Sequence, residues 1–367
     1  MNTQSQIAPA GDSNPVPPHA ADAAVAPKRM EDAAMIRAAA ELTRDLNAPN
    51  VLIYWTDFLG STVLGYAGLA LAIAAQSLPF ALLGAGIAMI FLYRAGLFIH
   101  EITHMRLSAV PGFWTMWHIL IGIPLLMPSF MYEGLHNLHH MRKRYGTVED
   151  PEYLPLALMK PYTLPLFVAV AALAPIGLLL RYGILGPISL FIPPLRRVLV
   201  ERYSGLVINP DFRRRPPEGE AKRKWLWTEI PATLWAMALI AGVATGTIPL
   251  RAFLIALGVI SVTIVLNQIR TLVAHLWAND GAEMSVTAQY LDSVNVPPPG
   301  ILPGIWAPVG LRYHALHHLL PGLPYHALGE AHRRIAAKLD PQSPYHQASY
   351  SGLPVLVSKL FNSTLRH

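Results

Sequence analysis

Four long apolar runs, arranged as two tightly linked pairs, constrain this chain more than any other feature. Residues 51–75 and 79–99 form the first pair, and 229–247 and 251–274 the second. About 20 apolar residues span a bilayer as a helix, and each run is of that order. Asp57 and Arg94 are the charged interruptions of the first pair, and Arg251 is the only charge in the turn of the second. Two spans with so short a link form a hairpin. Only 14% of the 367 residues are charged, against about 25% in soluble chains, and that deficit also points to lipid.

The basic residues orient the hairpins. Arg29, Arg37 and Arg44 precede the first, and Arg106, Arg142, Lys143 and Arg144 follow it. Arg213, Arg214, Arg215, Lys222, Arg223 and Lys224 precede the second. Positive flanks mark the cytoplasmic side, so both termini and the stretches after each hairpin are expected there. The Ala- and Pro-rich residues 1–28 show no cleavable signal and are expected to be a disordered tail. Residues 29–360 then form one membrane domain. A helical pattern from Met30 to Leu46 suits a helix lying on the membrane surface or an exposed polar one. Residues 112–130, bounded by Pro111, Pro124 and Pro128, read as an interfacial segment. Residues 161–195 are apolar but broken by five prolines and Arg181. Both ends are expected on the cytoplasmic side, so the segment crosses twice or not at all. A dipping hairpin is the expectation, with a fifth and sixth span as its rival. The fold class is all-α integral membrane: two transmembrane hairpins (four spans, or six) with a cytoplasmic helical cap holding a histidine-rich di-metal site.

The chemistry lies in the histidines. The chain has no cysteine, which excludes iron–sulfur clusters and thiolate zinc sites. Nine of its 15 histidines fall in four places. His100 and His104 stand in HEITH. His136, His139 and His140 stand in HNLHH, and His314, His317 and His318 in HALHH. His275 ends the last span. Residues four apart share a helix face, and an i, i+3, i+4 trio fans outward from one face. The hairpin parity brings all nine to one side of the membrane. Imidazole suits Zn, Cu, Fe and Ni, and nine ligands suit two ions better than one. His19, His332, His346 and His367 stand alone and are read as packing or surface residues. Glu101, Glu133, Asp150, Asp280 and Asp292 are candidates to orient the rings by sequence proximity. Trp114, Trp117 and Trp306 suit an acyl tunnel or interfacial anchoring.

These boxes resemble the membrane fatty acid desaturase family over roughly residues 95–155 and 265–330. HEITH is similar to that family's first box in its acyl-lipid spacing. HNLHH with the following YGTVEDPEY (145–153) is similar to the second, and HALHHLLPGLPYHAL (314–328) to the third. His275 is placed like the family's extra ligand, and Asp150 matches its trailing acidic residue. The resemblance implies two Fe ions held by the nine histidines and O2 as co-substrate. It also implies a membrane lipid acyl chain as substrate and desaturation as the reaction. No heme, flavin or dinucleotide-binding unit is recognisable, so a separate ferredoxin or cytochrome donor is expected, steered by the basic runs. A bacterial inner membrane location is expected, and no nucleic-acid partner. Thr271, where relatives often carry Asn, and His118 depart from the pattern. They leave open a hydroxylase or other oxidase on the same site. HEITH also satisfies H-E-x-x-H, the zinc-protease motif with Glu101 as base, but that reading leaves the other clustered histidines without a task. A heme or metal-binding scaffold leaves the two fans unexplained in the same way.

Overall fold

The structure, a computed structural model, describes residues 32–366. The expected tail, residues 29–31 and His367 lie outside the described residues. Along the chain run α1 (Ala33–Leu42), α2 (Val51–Ala74), α3 (Leu78–His104), α4 (Phe113–Trp117), α5 (Leu135–His139), α6 (Thr163–Ser189) and α7 (Pro193–Arg202). There follow α8 (Gly219–Ala244), α9 (Leu250–Leu272), α10 (Val286–Asp292), α11 (Pro303–Trp306), α12 (His314–Leu319), α13 (Leu328–Lys338) and α14 (Leu353–Thr364). No strand occurs among the described residues. Isolated bridges instead pair His275 with Ser293, and Asn295 with Tyr313 and Ser349.

Five of these helices, α2, α3, α6, α8 and α9, are long and apolar enough to cross a membrane. The all-helical membrane architecture and the two hairpins, α2–α3 and α8–α9, therefore stand. Asn50 caps α2 by accepting from the Ile53 amide at 3.2 Å, and Pro79 occupies the first turn of α3, where its missing N–H costs nothing. The first hairpin closes through glycine. A Cβ added to Gly68 would sit 2.6 Å from the Ala88 amide nitrogen, and one on Gly84 2.5 Å from that of Ala72. Small residues let helix backbones approach this closely in lipid. Within the hairpin Arg94 grips Asp57 with two hydrogen bonds, and the Tyr325 hydroxyl donates to the same carboxylate at 2.8 Å.

Residues 161–195 depart from expectation. They form neither a dipping hairpin nor two spans, but one broken helix, α6. Short 3-10 and π turns at Val170–Leu173 and Arg181–Leu185 interrupt it. Pro175 and Pro187 each open the segment that follows such a break or turn, so the helix re-registers at its prolines instead of reversing. Leu164 near its start packs with Leu272 and Trp277, and Arg181 reaches Glu229 of α8 at 2.7 Å.

The surface reading of the first helix also changes. Met35 and Ala39 of α1 are buried in a cluster with Ala331 and Ile335 of α13, and Asp45 pairs with Arg334 at 2.7 Å. α1 is thus part of the cap. The segment 112–130 lies along the first hairpin: Phe113, Trp117 and Ile121 are buried, while Met116 and Ile119 are exposed. The Trp117 indole donates to Ala95 O at 2.9 Å, which makes that ring a core residue.

Candidate metal centre

Four separate pieces of backbone supply the histidines. The last turn of α3 presents His100 and His104 on one face. Gly134, at φ +77°, turns the chain into α5, which carries His136 and His139, with His140 at its end. α12 carries His314, His317 and His318. His275 follows α9, where the chain bends through Trp277 at φ +57°. The buried Trp277 indole donates back to Leu272 O at 2.8 Å and pins that bend.

The nine rings gather into two adjoining sets. His100, His104, His136, His140 and His317 form one, and His139, His275, His314 and His318 the other. Within each set the ligand atoms all lie within 4.8 Å of one another. Facing Nε2 atoms are close: His136–His140 at 3.0 Å, His140–His317 at 3.1 Å, His275–His314 at 3.0 Å and His314–His318 at 3.2 Å. Metal–imidazole bonds are about 2.0–2.1 Å, so adjacent ligands on one ion sit about 3 Å apart. The Nε2 atoms of His100 and His104 are buried with no hydrogen-bond partner, which a metal would supply. The residues therefore fit two metal ions, one per set.

The outward ring nitrogens are held by polar groups. His139 Nδ1 lies 2.9 Å from Asp150, a fully buried carboxylate that also accepts from the Gly146 and Glu152 amides. Gly146 has φ +71°, and a Cβ there would press on the Asn279 amide at 2.7 Å. His136 Nδ1 meets Tyr132 at 2.8 Å and Glu152 at 3.1 Å. His275 Nδ1 meets the Tyr145 hydroxyl at 2.8 Å, and Tyr145 and Tyr153 both donate to Asp292. Such partners fix the tautomer, so that Nε2 faces inward as a lone pair.

Burial lowers the pKa of His136, His140, His275, His314, His317 and His318, which keeps these rings neutral and able to ligate. At His139 burial also acts downward, but Asp150, Glu152 and Asp292 outweigh it and raise the ring. Burial pushes Glu152 up to about 8. Carboxylates packed this close to the rings suit a site that carries positive ions.

Of the carboxylates expected nearby, Asp150 touches a ring directly and Asp292 acts through Tyr145. Glu133 turns away to Trp114 and Ser129, and Asp280 is exposed. Glu101 accepts from the Tyr54 hydroxyl and the Tyr325 amide. It tethers the third-box loop to α2, while its other oxygen lies 3.6 Å from His100 Nδ1. Sequence proximity missed Glu152, Tyr132 and Tyr145. Glu152 stands two residues from Asp150, and only that alternation could have signalled it. His118 joins neither set: it bonds Trp114 O at 2.7 Å and accepts from the Ser129 amide.

Helical spans capped by two all-histidine sets that fit metal ions define a membrane oxidoreductase of the histidine-box kind. The fatty acid desaturase family model matches residues 75–350. The chain belongs to the fatty acid desaturase family and is an integral membrane enzyme. It is also 47% identical over 334 residues to a ceramide hydroxylase of Caulobacter vibrioides (strain NA1000 / CB15N), covering 91% of this chain and 95% of that relative.

Proposed function

We propose that this chain hydroxylates a ceramide-like lipid at a di-iron centre, with electrons from a separate protein donor. The nine histidines in two sets support metal-dependent oxidation, and the near full-length similarity to a ceramide hydroxylase carries the choice of reaction. That choice replaces desaturation, the outcome expected from the boxes alone. Iron is the metal the family uses, and the cysteine-free imidazole sets suit it. When bound, the two irons supply the reductive activation of O2 that an unactivated C–H bond requires. The overall reaction balances with one oxygen atom entering a C–H bond as hydroxyl and the other leaving as water. The donor provides two electrons and the solvent two protons.

The chain's own residues do the holding. His100, His104, His136, His140 and His317 would bind one iron, and His139, His275, His314 and His318 the other. Asp150, Glu152, Tyr132 and Tyr145 keep the rings turned inward. The basic runs give the donor reading modest support: Arg144, Arg213, Arg214, Arg215 and Lys224 line one cavity of about 860 Å³ beside α5 together with Glu133, Glu149, Asp211 and Glu220, and Arg213 and Arg215 are the cations there that could meet an acidic partner. The same positive charge supports a site on the cytoplasmic face of a bacterial inner membrane. Expression in a host lacking the enzyme, with lipid mass profiling, tests the reaction. Ceramides should gain the mass of one oxygen atom. Loss of two hydrogen atoms would restore the desaturase reading, and stoichiometric zinc without iron would overturn the oxidase reading altogether.

A further inference from the structure

Arg270 stands in the last turn of α9, where topology alone would turn a basic side chain toward water. It turns inward. Its Nη2 donates to Thr271 Oγ1 at 3.2 Å and approaches Asn267 Oδ1 at 3.4 Å, while its Nε is buried with no hydrogen-bond partner. Tyr93 of α3, whose hydroxyl donates to Trp306 O at 2.8 Å, lies within reach of the same guanidinium. The other inward arginines of the spans, Arg94 and Arg181, pair with Asp57 and Glu229. Arg270 has no such ion pair among the described residues. Its charge reaches the four-histidine set and the carboxylate beside His136: after burial, it is among the influences on His275 and His314, and it opposes the rise of Glu152.

The space beside it is suited to a lipid. α9 touches α2, α3 and α6, yet only Val259 and Leu272 of its 23 residues are fully buried. Most of α9 is therefore only partly covered by protein, so its apolar flank is open to lipid, and Arg270 stands at the end of that flank. An apolar flank gives an acyl chain no register, because every methylene is equivalent. One polar anchor near the metals would set which carbon stands before them.

We infer that Arg270 is the specificity-determining residue for the lipid's polar end, its guanidinium taking the amide carbonyl or adjoining hydroxyl of a ceramide-like substrate. Arginine suits the task because it stays charged and offers donors in a rigid planar fork. Thr271 and Asn267 occupy Nη2 and hold the fork, while the half-buried side chain keeps part of its guanidinium accessible. A charge at the end of a span that closes no ion pair is a functional-site candidate. The assignment rests on the lipid-oxidation reading above for its substrate class.

The test is competition binding on the purified full-length protein loaded with iron. A fluorescent short-chain ceramide is displaced by unlabelled ceramide or by an alkane of equal length. In the wild type, ceramide should displace the probe roughly ten-fold or more better than the alkane. R270M should erase most of that preference. R270K, which keeps the charge for folding but loses the planar fork, should reduce it, with iron content unchanged in both. In turnover, both variants should raise KM for ceramide more than they lower kcat and should spread the hydroxyl over neighbouring carbons. Full ceramide preference and an unshifted product position in R270K, with native iron content, would overturn the assignment while leaving the hydroxylase reading intact. Wild-type ceramide preference that R270M erases, without any oxidised product, would uphold the assignment and remove the hydroxylase reading.

Discussion

At the scale of single residues, the site depends on carboxylates that touch no substrate. Asp150 is the clearest: it is fully buried, holds His139 and is itself held by two backbone amides. Asp150→Asn keeps the shape but loses the charge and one acceptor. It should cost about 10–100-fold in metal affinity or activity, read by iron retention on dilution into chelator. Retention equal to wild type would show that the backbone alone positions the ring. Glu152→Gln should act in the same direction on His136, and the two effects should not be additive, since both carboxylates also act on His139. Asp150 was legible in the sequence because it trails the second box at short range. Tyr132 was not. It sits one helical turn before His136, and only its ring, bonded to Nδ1 at 2.8 Å, distinguishes it from any other buried tyrosine.

At the scale of elements, the first hairpin is a platform for His100 and His104. Its closest approach is at Gly68 and Gly84. Gly68→Leu puts a branched side chain against the Ala88 backbone and should destabilise by about 1–3 kcal/mol or more. A lower unfolding temperature in detergent with wild-type iron stoichiometry in the folded fraction is the expected result. The Asp57–Arg94–Tyr325 clamp ties the same hairpin to the loop after the third box. Arg94→Leu leaves a largely buried carboxylate unpaired, a class of change that costs about 3–5 kcal/mol. The double variant with Asp57→Asn should recover part of that loss, and a double variant no more stable than the single one would count against a pairing role. Hairpin spans were readable from run length and linker alone. The course of α6 was not, because prolines predict interruption without saying whether the chain reverses or, as here, re-registers through 3-10 and π turns.

At the scale of the whole molecule, two hairpins and a cap bring together residues as far apart in the chain as His100 and His318. Neutral, buried imidazoles crowded at about 3 Å are poorly tolerated without an ion between them, so metal and fold should be coupled. Stripping iron should lower the unfolding temperature, and free ion at 100-fold above its dissociation constant should restore about 2.7 kcal/mol. Equal melting of stripped and loaded protein would mean that the cap folds independently of the metal. Hydropathy and helical periodicity depend only on local order along the chain, and so the membrane class, the paired spans and the nine histidines followed from the sequence by itself. The division of those histidines into a five and a four, the tie of Glu101 to Tyr54 and Tyr325, and the seating of Arg270 by Tyr93 are contacts between distant segments. Only the tertiary structure decides these, because packing, and not spacing, determines which side of a ring or guanidinium meets which neighbour.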